Sequence, residues 1–483
     1  MTGLTFFCDL AEATTPLPHF WEHTVGSDHA PAALRADWQR QLKRAHDELG
    51  FQYVRFHGLL SDDFGTLVRD DDELHYSFFN CDRVFDFLLS IGMRPFVELS
   101  FMPTALASGK KTVFGYNANV TPPRDYKQWS TLIERLVSHC VERYGSREVA
   151  EWFFEVWNEP NLSAFWGGNQ RDYFKLYRHT AEAIKSIDGS FRVGGPATAK
   201  SQWIEDFVAF CERNKVPADF ISTHHYPTNG HEKIKDTEEQ LFRSQRGVMR
   251  RVAQDTRHHA HGRPVYYTEW NASSNPRNPL HDEPYAAAFV ASTILEANGL
   301  VEGYGFWTFT DIFEEDYLPS TPFHGGFGLL NLQGIAKPTY RTFELFHALG
   351  DRQSLVDGLH ETVDCSVIHK ASTRSRASVT LLLTNHTTPG HSIENEQLKI
   401  QLSNARQPVK AFIQRIDEDH ANPKRLWVEI GQPEYLTSKQ VDRLHDASQV
   451  VAEKQQFKYD GGTIVLKTTI PPHAVAAITL EFA

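Results

Sequence analysis

No run of apolar residues in the 483-residue chain approaches the ~18 that a transmembrane helix requires, so no membrane span is expected. Basic residues are in deficit. Lys+Arg 49 against Asp+Glu 61 gives a formal net charge of −12, without a basic cluster to offset it. Such a surface is a poor partner for nucleic acid or for an anionic membrane. Cysteine is scarce: Cys8, Cys81, Cys140, Cys211 and Cys365 are odd in number, scattered, and never spaced as CxxC. That excludes a disulfide framework and a zinc site of the usual pattern, and points to free thiols in a reducing compartment. The chain also lacks HExxH, GxGxxG and GxxxxGK[ST], so neither a metalloprotease site nor a dinucleotide or P-loop site is expected. His224 and His225 are adjacent, and on an extended strand they face opposite ways and cannot chelate one ion together. No metal and no cofactor are expected. The opening MTGLTFFCDLAEATTP has no basic segment before its apolar run and does not read as a signal peptide, so cytoplasmic residence is the expectation.

What is present suits a folded protein of more than one unit. Charged residues are 23% and the hydrophobic set 41%, ordinary proportions for a globular chain. The length fits about three domains at ~150 residues each, or one barrel of ~250 to 330 residues with a smaller companion. Aromatics reach 12%. They serve equally as a large core and as platforms for the C–H faces of sugars.

Short apolar runs alternate with amphipathic segments over the first 340 or so residues. The expected strands are Phe20–Gly26, Phe51–Phe56, Pro95–Leu99, Trp152–Trp157, Phe191–Gly194, Phe220–His224, Pro264–Glu269 and Gly303–Thr308. The helices between them are expected at Pro31–Leu49, Cys81–Ser90, Tyr126–Tyr144, Arg171–Ile187, Trp203–Asn214, Glu238–Thr256 and Tyr285–Glu296, with Arg341–Leu349 closing the set. Eight strand–helix units predict an α/β fold, a (β/α)8 TIM barrel, in preference to an open doubly wound sheet. After about residue 350 the pattern becomes β-rich at Ala377–Asn385, Gln397–Leu402, Val409–Asp417, Gly462–Thr469 and Ala474–Phe482, which predicts a C-terminal β-sandwich. Pro433–Ala452 reads as a polar helical insert. The domains are therefore expected at 15–345 for the barrel and 346–483 for the sandwich, and 1–14, including the strand-like Leu4–Asp9, either precedes the barrel or joins the sandwich.

In a parallel barrel, function gathers at the C-terminal ends of the strands. Strand four runs into Asn158-Glu159-Pro160 and strand seven ends in Glu269. A carboxylate closing an apolar run is costly unless it emerges into a cleft. Strands four and seven stand across the barrel mouth, so the two glutamates can face each other over a sugar ring. Glycoside hydrolysis needs that pair: one carboxyl group protonates the leaving oxygen, the other attacks the anomeric carbon or activates water. The Asn158 amide is placed to hold a sugar 2-hydroxyl, unless it only caps the strand end.

These residues resemble the retaining (β/α)8 glycosidases of clan A. The longer strings around them resemble glycoside hydrolase family 39, the β-xylosidases and α-L-iduronidases. They are Arg55-Phe56-His57-Gly58-Leu59-Leu60-Ser61-Asp62-Asp63, Phe154-Glu155-Val156-Trp157-Asn158-Glu159-Pro160-Asn161-Leu162, Trp307-Thr308-Phe309-Thr310-Asp311-Ile312-Phe313-Glu314-Glu315 and Phe323-His324-Gly325-Gly326-Phe327-Gly328. The resemblance extends through Asp417-Glu418-Asp419-His420-Ala421-Asn422-Pro423 and the insert. It implies that Glu159 is the general acid/base and Glu269 the nucleophile. It further implies that Asn158, His57 and His224 hold the sugar at subsite −1, with Trp307 as its aromatic floor. Glu314 or Glu315 would bind sugar hydroxyls. The Phe-Glu-Glu string favours the xylosidase branch, hence β-D-xylose removal from the non-reducing ends of xylo-oligosaccharides, with α-L-arabinosidase or another family activity as the alternative. A non-catalytic carbohydrate-binding protein is the rival of another class, and the presence of both glutamates opposes it. At Thr223-His224-His225-Tyr226-Pro227 relatives vary, so Tyr226 is either a hydrogen-bond partner of the nucleophile or a plain loop tyrosine.

Overall fold

The computed structural model describes residues 4–71, 73–229, 235–315, 317–371 and 377–483. Eight parallel strands close into a barrel: β1 (Thr24–His29), β2 (Tyr53–His57), β3 (Arg94–Leu99), β4 (Phe153–Val156), β5 (Arg192–Thr198), β6 (Phe220–His224), β7 (Val265–Trp270) and β8 (Gly303–Phe306). Each pairs with its sequence neighbours and β8 returns to β1. The expected (β/α)8 architecture is present.

Alternation along each strand sorts the barrel interior into layers. The lowest layer is aromatic. Tyr53, Phe96, Phe153 and Phe220 are buried together, with Tyr266 packed against them. Phe96 and Phe153 stack with centroids 4.9 Å apart. Two residues further along the strands, the same inward direction is taken by Arg55, Glu98, Glu155 and Thr268, all buried. Another two residues bring His57 and His224 to the mouth, also buried. The apolar floor thus carries a charged layer, and the charged layer carries the candidate site.

Several expected elements differ. The helix read as Pro31–Leu49 is a 3-10 turn, Ala30–Leu34, and a helix, Ala36–Leu49, separated by the extended Arg35. Phe20-Trp21-Glu22 forms a 3-10 turn, so the first strand starts at Thr24. Trp21 there packs edge-on to Phe346 with centroids 5.3 Å apart, sealing the barrel base. The helix read as Glu238–Thr256 is two, Thr237–Ser244 and Val248–His259. Gln245 at φ 63° and Gly247 at φ 76° turn the chain left-handed between them, which a continuous helix does not allow.

The C-terminal part is two sheets. The larger orders Thr15–Pro16, Arg352–Ser354, Val363–Lys370, Ser378–Asn385, Ala474–Glu481, Lys410–Ile416 and Glu453–Lys454; the smaller orders Leu4–Asp9, Glu396–Ser403, Thr463–Ile470 and Phe457–Asp460. A shared apolar core between them includes Phe6, Val367, Leu381, Ile400, Ile413, Leu466 and Ile478. Leu4–Asp9 pairs in parallel with Glu396–Ser403, so the N-terminal strand does join the sandwich. A helix at Pro423–Glu429 precedes the expected insert, which is itself helical at Ser438–Ala447. The second of these helices starts on a capping box between Thr437 and Gln440. Trp427 and Leu444 pack on Phe323 and Ile335, which steadies the loop after β8.

The outer face of the larger sheet meets the barrel through the helix Pro284–Ala297. That helix is buried along nearly its whole length, from Tyr285, Phe289 and Val290 on one side to Ala286, Ala287 and Ile294 on others. A helix apolar on all faces belongs between two layers, and here it has the barrel on one side and the sheet on the other.

Candidate active site

A cavity opens at the C-terminal ends of the barrel strands. His57, Asn158, Glu159, Tyr226, Glu269, Trp307 and Glu315 line it, with Phe114, Leu162, Phe165 and Phe327 supplying apolar wall.

Glu159 reaches the cavity through backbone geometry that side chains rarely adopt. Trp157 has φ 74° and Glu159 φ 43°, so the chain turns sharply as it leaves β4. The turn is pinned by Glu159 N–H donating to the Ala197 carbonyl at 2.8 Å, and by the Trp157 indole donating to the Phe165 carbonyl at 2.8 Å.

Glu269 is re-aimed by a bulge. Thr223 pairs with Tyr267, but the next residue, His224, pairs with Glu269. Simple alternation would point Thr268 inward and Glu269 outward. The extra residue lets both serve the interior.

Below the two glutamates, Arg55 distributes its guanidinium over four acceptors. Nη1 donates to Glu269 Oε1 at 2.8 Å, Nε to Glu155 Oε2 at 2.5 Å and Nη2 to Asn158 Oδ1 at 3.0 Å. Nη2 also lies 2.8 Å from Glu98 Oε2. The same Glu98 oxygen is 2.7 Å from His57 Nδ1, and Ser100 donates to the other. Burial disfavours ionisation of Glu98, yet Arg55 and His57 outweigh it and hold the carboxyl below its ordinary range. Glu98 and Glu155 lie on strands legible in the sequence, but neither run by itself shows a partnership with Arg55.

The two glutamates sit in different surroundings. Glu159 is pushed well above the ordinary carboxyl range, first by burial and then by the charge of Glu269. Glu269 is also raised by burial, but Arg55, His57 and the Tyr226 hydroxyl all favour its charged form. Tyr226 donates to Glu269 Oε2 at 2.9 Å. Of the pair, Glu269 is therefore the member that ionises first. One oxygen of each glutamate and a ring nitrogen of His224 lie within 4.8 Å of one another. His224 Nδ1 is 3.0 Å from Glu159 Oε1 and 3.5 Å from Glu269 Oε2. Burial, reinforced by Arg55 and His57, keeps this imidazole neutral by lowering its pKa well below the ordinary value.

Most other expected residues converge here. Trp307 forms a wall and its ring lies 4.8 Å from that of His57. Asn158 turns Oδ1 to Arg55, which leaves its NH2 group to face the cavity. Tyr226 is a hydrogen-bond partner of Glu269 rather than a plain loop tyrosine. His224 is buried behind the glutamates and does not line the cavity. The pair after β8 divides. Glu315 lines the cavity 3.5 Å from His57 Nε2, whereas Glu314 pairs with Arg35 Nη1 at 2.7 Å, away from it.

The arrangement sets a carboxyl group that favours its acid form beside one that ionises more readily, on a single cavity with hydrogen-bonding groups around them. It can transfer a proton to a leaving oxygen while a carboxylate approaches an electrophilic carbon. Among the described residues, three sets lie close enough to hold a metal ion, and one of them is Glu159, His224 and Glu269. That set makes an ion's ligands of the same oxygens and nitrogen that already bond one another, so hydrogen bonding accounts for it.

Comparison with known proteins places the chain in a family. The model of Glycosyl hydrolases family 39 matches residues 7–463. A β-xylosidase of Caldicellulosiruptor saccharolyticus is 48% identical over 469 residues, 96% of this chain and 95% of that protein. A β-xylosidase of Geobacillus stearothermophilus is 39% identical over 483 residues, 95% of this chain and 92% of that protein. The structure of a family 39 β-xylosidase from Caulobacter crescentus superimposes with a TM-score of 0.83 at 32% identity, covering 99% of this chain and 100% of that one. The chain belongs to glycosyl hydrolases family 39.

Proposed function

We propose that this family 39 member removes β-D-xylose from the non-reducing ends of xylo-oligosaccharides by double displacement, with Glu159 as acid/base and Glu269 as nucleophile. The observation that carries the reading is the closeness of the two carboxyl groups, whose facing oxygens lie within 4.8 Å. Retaining glycosidases hold their carboxyl groups about 5–5.5 Å apart, and inverting ones leave ~6.5–9.5 Å for an intervening water. The two relatives of highest identity reported above are both β-xylosidases, which supports the choice of sugar.

The steps follow from the surroundings of each group. Glu269, ionised under the influence of Arg55 and Tyr226, attacks the anomeric carbon from one face of the ring. Glu159, protonated in the resting site, gives its hydrogen to the departing glycosidic oxygen as the C–O bond breaks. The product is a xylosyl ester on Glu269. A water then enters, Glu159 takes its proton, and the hydroxide oxygen attacks the same carbon to release Glu269. Two inversions give net retention. The Asn158 amide is assigned to the 2-hydroxyl, Trp307 to the apolar face of the sugar, and His57 and Glu315 to the remaining hydroxyls.

The barrel is assigned to catalysis, and the sandwich, which takes in Leu4–Asp9 and Thr15–Pro16 as well as the C-terminal strands, to an accessory role. The five cysteines are all free thiols and four are buried. That composition supports residence in a reducing cytoplasm, where imported xylan fragments are trimmed. No helix among the described residues is long and apolar enough to cross a membrane.

The test is a panel of nitrophenyl glycosides, followed by NMR of the first sugar released. The β-xyloside should be preferred to the β-glucoside and β-galactoside, and β-xylose should appear before its anomer. An α-arabinoside preferred over the β-xyloside would reassign the substrate; α-xylose appearing first would remove Glu269 as nucleophile.

A further inference from the structure

His224 is buried, and its two ring nitrogens have separate partners. Nδ1 is 3.0 Å from Glu159 Oε1, and Nε2 is 3.1 Å from the hydroxyl oxygen of Thr268. The Thr268 hydroxyl itself donates to Glu155 Oε1 at 2.7 Å. Arg55 Nε donates to the other oxygen of Glu155, which keeps that carboxylate in place as an acceptor.

A threonine hydroxyl carries one hydrogen. Because it is given to Glu155, only lone pairs remain for His224, and Nε2 must bring the hydrogen to that contact. A neutral imidazole has a single N–H. Nδ1 is therefore bare, and a bare nitrogen attracts a carboxylic O–H but repels a carboxylate oxygen at the same distance.

We propose that Thr268 and Glu155 are positioning residues that fix His224 as its Nε2–H tautomer, so that its bare Nδ1 selects the acid form of Glu159. The inference rests on the reading of Glu159 as acid/base and deepens it. The other groups facing His224 work in the same direction. Arg55 and His57, rising from β2, oppose a second proton on the ring, and Glu269 on β7 opposes a second negative charge beside Nδ1. Every turnover passes through the opposite state. Once Glu159 has given up its hydrogen, its carboxylate faces the Nδ1 lone pair, and that repulsion makes it a stronger base toward the incoming water. One tautomer thus serves both steps: it keeps the acid loaded before the first and drives its reloading in the second.

Nitrogen NMR of the full chain labelled with 15N-histidine reads the tautomer without any turnover, the His224 signals being identified by their loss in His224→Gln. The expected spectrum is a neutral ring with hydrogen on Nε2 and a bare Nδ1. Thr268→Val, which keeps the shape and removes the hydroxyl, should let hydrogen appear on Nδ1. It should also move the basic limb of kcat/KM on xylobiose to lower pH by about one unit, and Thr268→Ser should restore the limb. Hydrogen on Nδ1 in the unmodified protein, or a charged ring, overturns the proposal. So does a Thr268→Val variant that loses rate with its basic limb unmoved, since a purely structural role gives that result. A wrong assignment of Glu159 shows elsewhere, in the response of Glu159→Ala to leaving group and azide, and leaves the nitrogen spectrum unchanged.

Discussion

The Tyr226 hydroxyl donates to Oε2 of Glu269, the oxygen that Arg55 leaves free, so that each oxygen of this buried carboxylate accepts one strong donor. Both bonds are stronger to the charged form than to the neutral one. Tyr226→Phe removes one of them, and the pKa of Glu269 should rise. Activity needs Glu269 ionised and is lost as pH falls through that pKa. The acidic limb of kcat/KM should accordingly move to higher pH by about one unit, while a hydrogen bond to a charged group is worth ~1.5–3 kcal/mol. A pH–rate profile on the nitrophenyl β-xyloside measures it.

The opposite limb belongs to Glu159, whose acid form is required and whose activity is lost as pH rises through its raised pKa. Glu269→Gln deletes the neighbouring charge but not the burial. The Glu159 carboxyl should then titrate at lower pH, though still above an exposed glutamic acid. Carbon NMR of the labelled side chain reads both shifts, and an unmoved titration would count against electrostatic contact between the pair.

Leaving-group dependence separates the two roles. Glu159→Ala should lose roughly 10²–10⁴-fold on xylobiose, whose alkoxide needs a proton to depart, and far less in its first step on a dinitrophenyl xyloside. The xylosyl ester should accumulate there, and azide should release it as the β-azide. Glu269→Ala should fail on both substrates, with azide giving the inverted α-azide. Turnover of both variants with and without azide, and NMR of the azide products, decide the matter.

The two glutamates after β8 should answer differently to mutation. Glu315 lines the cavity and Glu314 pairs with Arg35 on the rim. Glu315→Ala should cost roughly 10- to 100-fold in kcat/KM, as the loss of a charged hydrogen-bonding group at a substrate does. Glu314→Ala breaks a partly exposed ion pair worth about 1 kcal/mol at most, and should change kcat/KM by less than about fivefold. Comparable losses in both would mean that the loop acts as a unit.

Behind that loop, Lys337 is wholly buried with Asp282 and Asp311 each 2.7 Å from Nζ, and it donates to the Gly326 carbonyl. Lys337→Met leaves two buried carboxylates without their counter-charge. Stability should fall by about 3–5 kcal/mol, measurable by urea unfolding.

The barrel was legible because its strands are short apolar runs that end in polar residues. Phe220–His224 and the helix Tyr126–Tyr144 match their expected ranges residue for residue. The strand Val363–Lys370 escaped notice because Asp364, Ser366 and His369 interrupt its apolar positions. In the site, Glu159 and Glu269 stood out as carboxylates closing apolar runs. Arg55, Glu98 and Glu155 carried the same signal, a charge within an apolar strand, but each run read alone does not say that three strands aim their charges at one point. Counting inward positions upward from Tyr53, Phe96 and Phe153 would have put them in one layer. The bulge that brings Glu269 inward has no such signature, and the division between Glu314 and Glu315 depends on where Arg35 falls in space.

All but Leu295 and Glu296 of the helix Pro284–Ala297 are buried. Deleting the sandwich would lay bare the apolar side of that helix that meets the sheet. The barrel and the sandwich are therefore not modules that a gene could exchange separately. Fusions, truncations and chimaeras cut near residue 345 should yield insoluble protein, whereas a cut that carries the sandwich along, with its N-terminal strand, keeps the catalytic fold intact.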